Sequence, residues 1–407
     1  MDKPSSPGSP PDPRRDTFRT LRIRNFRLLF TGTVISQTGD FLQLMAQGWL
    51  VLILTGSPLS LGIVGFAQAA PRLLLAPLFG ALADRFDRRS LLLFAQGGFL
   101  LQTLVFALLV TTDRITFPQV VILTVIWGML NGINHTARQA LIPNIVEKDD
   151  IMSAIALHST AFNFTRAIGP AIGGALVAWL GVAGCLWINA ATFPVMLWML
   201  LSMRVPQMVR GSKETRPRFA DALRFLGRER DVRMAVGLTF VTAFFVLSYS
   251  RLMPVFARDV FGGGPETFGF LMAAHGVGAV ASTLALATLG RTRHVTRILP
   301  LVTIFLALTI AGFALAPHLL IALVCLVLFG ALQLTQRTMA SALLQTRTPD
   351  ALRGRVTGLF QMDVGLWSLG SLAIGALAQG IGVQNAVLIG AGVCCVFTLP
   401  AVFLFRR

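Results

Sequence analysis

Apolar residues run along this chain in blocks of roughly 20 to 30 positions separated by short polar stretches, and each block is long enough to cross a hydrocarbon core of about 30 Å as a helix. Twelve blocks predict helices over residues 28–54, 59–83, 90–111, 117–139, 151–180, 184–203, 233–257, 266–290, 297–316, 318–340, 356–381 and 385–405. The longest polar interruption falls between the sixth and the seventh. The pattern therefore predicts an all-α membrane protein with a tail (1–27), a six-helix bundle (28–203), a central loop (204–232), a second six-helix bundle (233–405) and a short end (406–407). Within the loop, RFADALRFLGRERDVRMAV sets Phe219, Leu223, Leu226 and Val232 near helical spacing among arginines, the pattern of an amphipathic helix lying on a membrane surface. A solvated linker is the alternative.

The two sets of six spans carry an internal match. GPAIGGALVAWLG (169–181) aligns with GSLAIGALAQGIG (370–382) at a constant shift, equating Gly169 with Gly370, Gly174 with Gly375 and Gly181 with Gly382. The shift pairs span five with span eleven. Duplicated halves suit alternating access, in which two bundles rock about a site near the midplane.

Composition agrees with the pattern, since 54% hydrophobic and 13% charged residues lie outside the range of soluble domains. A net charge of +17 raises the question of nucleic acid, but the distribution answers it. Of the 35 Lys and Arg, all but Arg72, Arg114, Arg166, Arg251, Arg258 and Arg337 fall in the tail, the central loop, the C-terminal end and the loops on the same side, or at the span ends that border them. That asymmetry is the positive-inside rule, and it places both termini in the cytoplasm with the lipid bilayer, not nucleic acid, as the partner. The preponderance of arginine over lysine leans towards a bacterial inner membrane. The Pro- and Ser-rich start, MDKPSSPGSPPDPRRD, reads as a disordered tail, and the first apolar block is too long for a cleaved signal. Cys185, Cys325, Cys394 and Cys395 lack metal-ligand spacing and read as apolar packing residues.

No phosphate-binding loop and no His-Glu-x-x-His or paired-Cys site occurs, so the chain offers no ATP chemistry, cofactor or enzyme motif. Transport of a small molecule driven by an ion gradient, with protons the expected ion, fits what remains, and nothing calls for more than a monomer. A membrane-embedded enzyme, a receptor or an assembly factor are the alternatives from other classes.

Between spans two and three lies GALADRFDRR, a knot of charge between two apolar blocks. It resembles the Gly-x-x-x-Asp-Arg-x-Gly-Arg-Arg motif of the major facilitator superfamily at Gly80, Asp84, Arg85, Arg88 and Arg89, with Asp87 where that motif has Gly. Longer stretches are similar to the drug- and siderophore-exporting branch of that superfamily, and Gly169-Pro170 followed by Gly173-Gly174 is similar to its span-five antiporter motif. The resemblance implies the twelve-helix fold, proton-coupled efflux, and a cytoplasmic latch at the charged loop that stabilises the outward-facing state. Import of a small metabolite would use the same architecture. From the residues themselves, Gly80 would allow close helix packing and the arginines could reach carboxylates or carbonyls of adjacent helices.

Charges inside spans mark cavities or partners. Asp40 and Arg72 lie at similar depth in spans one and two and could pair; Asp363 and Arg337 form a second candidate pair across spans eleven and ten. Arg166, in span five, is placed to bind a substrate anion or to pair with Asp40. His135, His158 and His275 read as hydrogen-bonded packing residues or proton relays, and Arg251 as a side chain reaching the interface. Phe41, Met45, Trp49, Phe162, Phe244, Phe245 and Tyr249 are candidates for an adaptable apolar cavity, although core packing uses the same residue types. The topology has a direct test. In a background without native cysteines, Cys at Ser57 or Gly263 should react with an impermeant maleimide added outside sealed cells, and Cys at Ser212 should not; labelling of Ser212 would reverse the orientation.

Overall fold

The computed structural model describes residues 19–147, 150–203, 219–289 and 295–404. Helices form where the apolar blocks predict them, because each block satisfies its backbone hydrogen bonds internally. In chain order they are α1 (Arg24–Thr55), α2 (Pro58–Leu74), α3 (Ala76–Arg85), α4 (Arg88–Thr111), α5 (Phe117–Ile145) and α6 (Ile151–Ser202). After the central stretch come α7 (Phe219–Arg228), α8 (Arg230–Val241), α9 (Met253–Val255), α10 (Pro265–Leu289), α11 (Val295–Ala314), α12 (Leu319–Arg347), α13 (Asp350–Phe360), α14 (Asp363–Ile381) and α15 (Val383–Leu404). Span two breaks at Leu75 between Pro71 and Pro77 into α2 and α3, and span eleven is α13 followed by α14. Among the described residues, eight helical stretches are long and apolar enough to cross a membrane by length and composition alone. The helix α1 is outside that set, and it carries Gln37, Asp40, Gln43 and Gln47.

Those polar groups are spent inside the first bundle. Gln43 Oε1 accepts from Asn189 Nδ2 at 2.8 Å and from Thr103 Oγ1 at 3.1 Å, and Gln47 Nε2 donates to Thr124 Oγ1 at 2.7 Å. In the second bundle Gln336 Nε2 donates to Thr242 Oγ1 at 2.9 Å. Lipid offers no hydrophobic drive between helices, so such bonds and close packing hold each bundle together.

Span seven departs from the continuous helix expected over 233–257. After α8 the chain passes through a π-turn (Thr242–Val246), a 3-10 segment (Leu247–Leu252), α9 and a second π-turn (Phe256–Val260). Ser248 Oγ donates back to Phe244 O at 2.9 Å inside this stretch, a side chain competing for a main-chain acceptor. The amphipathic segment does form a helix, α7, but it docks on the second bundle: Ala222 is fully buried, with Phe225 and Leu226 packed beside it, while Leu223 is exposed. Residues 204–218 lie outside the described residues.

The internal repeat reappears as geometry. Gly181 (φ 70°) and Gly382 (φ 86°), equated in the sequence, each make the left-handed turn into the following span. Gly169 lies against Phe41 of span one, and Gly370 against Phe244 and Ser248 of span seven. Gly174 and Gly375 are the points where each bundle meets the other. A Cβ on Gly269 of α10 would sit 2.7 Å from Gly174 Cα, and a Cβ on Gly375 would sit 3.1 Å from Gly62 Cα of α2 and 2.9 Å from Pro58 O. Neither crossing has room for a side chain.

Among the described residues the hydrogen bonds between bundles lie towards one side. Ser57 Oγ donates to Gln379 Oε1 at 2.7 Å, Ser368 Oγ to Phe66 O at 3.2 Å, and Arg251 to Gln68 Oε1 at 2.6 Å. On the basic side α3 packs on α5, and α13 packs on α7 and α12, each within its own bundle. Among the described residues the molecule is therefore closed at the end bearing Ser57 and parted at the end bearing Arg85, Arg88 and Arg89. Gly174→Val would overpack the first crossing at a cost of about 1–3 kcal/mol. A cysteine at Ser368, buried beside the second crossing, should then be alkylated by a maleimide roughly 5- to 150-fold faster, whereas Gly80→Val should leave that rate unchanged; an unaltered rate in Gly174→Val would show that the crossing does not hold this end shut.

Candidate functional site

The charged loop is built from helix ends. Asp87 caps α4: its Oδ2 accepts from Ser90 N at 2.8 Å and from Ser90 Oγ at 2.9 Å, satisfying an N–H that the first helical turn leaves free. This accounts for an acid at a position where the superfamily motif has Gly. Arg88 donates to Ala140 O at 2.7 Å, and Arg89 donates through Nε to Leu200 O and through Nη2 to Leu201 O, both at 2.8 Å. These carbonyls lie near the C-terminal ends of α5 and α6, where the negative helix end favours a cation. The arginines thus tie three helix ends of the first bundle together. Arg85 is exposed, with its guanidinium 5.9 Å from the Phe86 ring centroid. The Asp84 side chain lies outside the described residues.

Gly80 is not the packing residue expected. A Cβ there would meet nothing within 4 Å, although α3 packs on α5. The span-five motif behaves as expected of small residues: Gly169 and Gly173 admit Phe41 and Met45 of α1, and Gly174 with Pro170 O faces Gly269.

The intramembrane charges pair differently from the expectation for Asp40. Its carboxyl lies within electrostatic reach of Arg138 of α5 and makes no ion pair with Arg72, and its Oδ1 is buried without a hydrogen-bond partner. Arg72 sits on α2 between α5 and α14. It lies 3.5 Å from His135 Nε2 and within electrostatic reach of Asp363 and Arg337, so depth alone misassigned it. Arg138 was missed because it stands at the end of block four and counts there as a loop arginine; α5 runs on to Ile145 and buries it. The one sequence cue was Asn134 one helical turn earlier, which accepts from Arg138 Nη2 at 3.2 Å.

The second pair forms: Arg337 of α12 bonds Asp363 Oδ2 at the start of α14, leaving Asp363 Oδ1 buried and unpartnered. Among the described residues Arg166 pairs with no acid. It is accessible although set between the bundles, where it faces Arg337 and Tyr249 of the second bundle. Arg251, rather than reaching an interface, bonds Gln68 across the bundle boundary and lies 5.1 Å from the Trp367 ring. His275 Nε2 is 2.9 Å from Gln333 Oε1, while His158 Nε2 is buried without a partner.

Several cavity candidates are packing residues. Met45 is 1% and Tyr249 0% exposed, and the Tyr249 ring packs edge-on against Phe329 and Phe313. Phe245 stacks on Phe397 of α15, away from the other bundle, and Trp49 packs against the main core. Phe41 and Phe244 are half-buried; the Phe162 side chain lies outside the described residues.

Two like bundles of helices, joined at one end through paired glycine crossings and parted at the other around buried charges, define a major facilitator transporter. The chain belongs to the transmembrane secretion effector family of that superfamily, which it matches over residues 15–406. It is 28% identical over 391 residues to a staphyloferrin A transporter of Staphylococcus aureus, covering 93% of this chain and 94% of that protein. It is 25% identical over 396 residues to the multidrug efflux pump Tap of Mycolicibacterium fortuitum, covering 93% and 95%. To the enterobactin exporter EntS of Shigella boydii it is 27% identical over 283 residues, 69% of this chain and 67% of that one. The fold is shared with an inward-facing bacterial homologue of the iron transporter ferroportin, at a TM-score of 0.74 and 15% identity over 95% of this chain and 99% of that one.

The cap makes a graded prediction. Asp87→Ala should lower stability by about 1 kcal/mol and Asp87→Gly by only a few tenths, since glycine leaves the cap backbone open to water. Thermal melting of the purified variants in detergent would check it, and equal losses would refute the capping role.

Proposed function

We propose that this transporter is a proton-coupled exporter of an amphipathic small molecule, a drug, siderophore or metabolite, working by alternating access in a bacterial inner membrane with both termini in the cytoplasm. The observation that carries the reading is the one-sided closure. With the basic loops assigned to the cytoplasm by the positive-inside rule, the crossings at Gly174 and Gly375 seal the outer end, and the opening between the bundles admits solute from within. Export also follows the sense of relatives described as a multidrug efflux pump and an enterobactin exporter.

Coupling falls to Asp40. Its carboxylate is supported by Arg138, and its free Oδ1 is the site for a proton. Protonation would leave Arg138 uncompensated, so the two charge states favour different arrangements of α1 and α5. The arginine-tied loop at Arg88 and Arg89 supplies a rigid end to the first bundle, on which Arg85 and Asp84 act as a latch when the basic side closes.

Cells loaded with a fluorescent substrate and held at constant ATP should lose efflux when an uncoupler is added. In everted vesicles each imposed pH unit is worth about 1.4 kcal/mol, or tenfold accumulation for one-for-one exchange. Asp40→Asn should remove that accumulation. Undiminished efflux with the gradient collapsed would exclude proton coupling.

A further inference from the structure

The acids and arginines between the bundles do not balance. Five arginines, Arg72, Arg138, Arg166, Arg251 and Arg337, lie within the spans against two acids, Asp40 and Asp363. Asp363 is ion-paired with Arg337, and Asp40 lies within electrostatic reach of Arg138. Among the described residues Arg166 has neither an ion pair nor a hydrogen bond, yet it is held between the bundles and open to solvent. Guanidinium stays charged and does not escape this cost by losing a proton. It stands within electrostatic reach of Arg337, so a like charge from each bundle faces the same space.

A second observation points the same way. Tyr249 is fully buried, its hydroxyl has no hydrogen-bond partner, and it too is within electrostatic reach of Arg166. Buried hydroxyls are rarely left unbonded unless a missing ligand or water completes them. His275, beside the Tyr249 ring, is also within electrostatic reach of Arg166. Donors and cations converge here, and the acid beside them, Asp363, is already bonded to Arg337.

We infer that the space between Arg166 and Arg337, with the Tyr249 hydroxyl beside it, is a binding site for the anionic group of the transported solute, and that the substrate class is an amphipathic carboxylate or comparable organic anion. An anion there would accept charge-assisted hydrogen bonds from Arg166 of the first bundle and from the second bundle together. It would turn a repulsion across the opening into an attraction and draw the bundles towards the closed form on the basic side. A lipophilic cation would meet the opposite field. The inference rests on the transporter reading above, but not on coupling or direction.

Carboxyfluorescein and rhodamine 6G share a xanthene core and differ in charge. Equilibrium binding of each to the purified full-length protein in detergent, by fluorescence anisotropy and without any gradient, isolates the site from the energetics of transport. The expected result is saturable carboxyfluorescein binding at least roughly tenfold tighter than that of rhodamine 6G, the span of one charge-assisted contact. Arg166→Gln should weaken it by a similar factor, Arg166→Lys should recover part of the loss, and Arg114→Gln in the loop between α4 and α5 should have no effect. Melting curves would confirm that each variant is folded. Equal or tighter binding of rhodamine 6G, absence of saturable carboxyfluorescein binding, or an unchanged affinity in folded Arg166→Gln would overturn the proposal. Failure of uncoupler sensitivity with this result intact would count against proton coupling alone.

Discussion

Among the described residues the two bundles meet backbone to backbone where Gly174 crosses Gly269 and where Gly62 crosses Gly375, and the rest of the architecture depends on those crossings. In a bilayer, helices gain nothing by hiding from lipid tails that are as apolar as they are, so association needs close surfaces and polar bonds. Side chains at either crossing would hold the helices apart. With glycine there, Ser57, Ser368 and Arg251 come within bonding distance of the opposite bundle and add polar contacts to the seal. Because both crossings lie towards one end, the bundles can part at the other without losing them.

The charges follow the same division. Asp40 with Arg138 belongs wholly to the first bundle, and Asp363 with Arg337 wholly to the second. Arg88 and Arg89 bind carbonyls of their own bundle. These contacts close within each bundle, which lets it move as a body. Arg166 is left over and exposed between the bundles, with the buried Tyr249 hydroxyl within electrostatic reach of it.

The helices were legible because a span is long and chemically uniform, and the repeat was legible because glycine is unforgiving: Gly174, Gly181, Gly375 and Gly382 each hold a position that a side chain would spoil. The motif at Asp87 was visible as a departure, but its cause, a helix cap, needed the turn itself. Facing direction was not legible. Depth suggested Asp40 with Arg72, whereas rotation about α2 turns Arg72 towards His135 and Asp363 and leaves α5 to supply Arg138. Met45 and Tyr249 have the composition of cavity residues and the burial of core ones, a difference that depends on neighbours distant in the chain. The π-turns of span seven carry no sequence periodicity of their own.

Rigid rocking about the glycine crossings makes the two ends of the molecule reciprocal. Pulsed dipolar distances between nitroxides at Phe86 and Gln345, on the basic side, and at Asp113 and His318, on the opposite side, measure this in lipid nanodiscs. Each pair should show two populations, and at every pH the fraction with the basic-side pair short should equal the fraction with the opposite pair long. Fractions that vary independently, or a single unmoving distance at the Asp113–His318 end, would contradict a rocking mechanism hinged on these crossings.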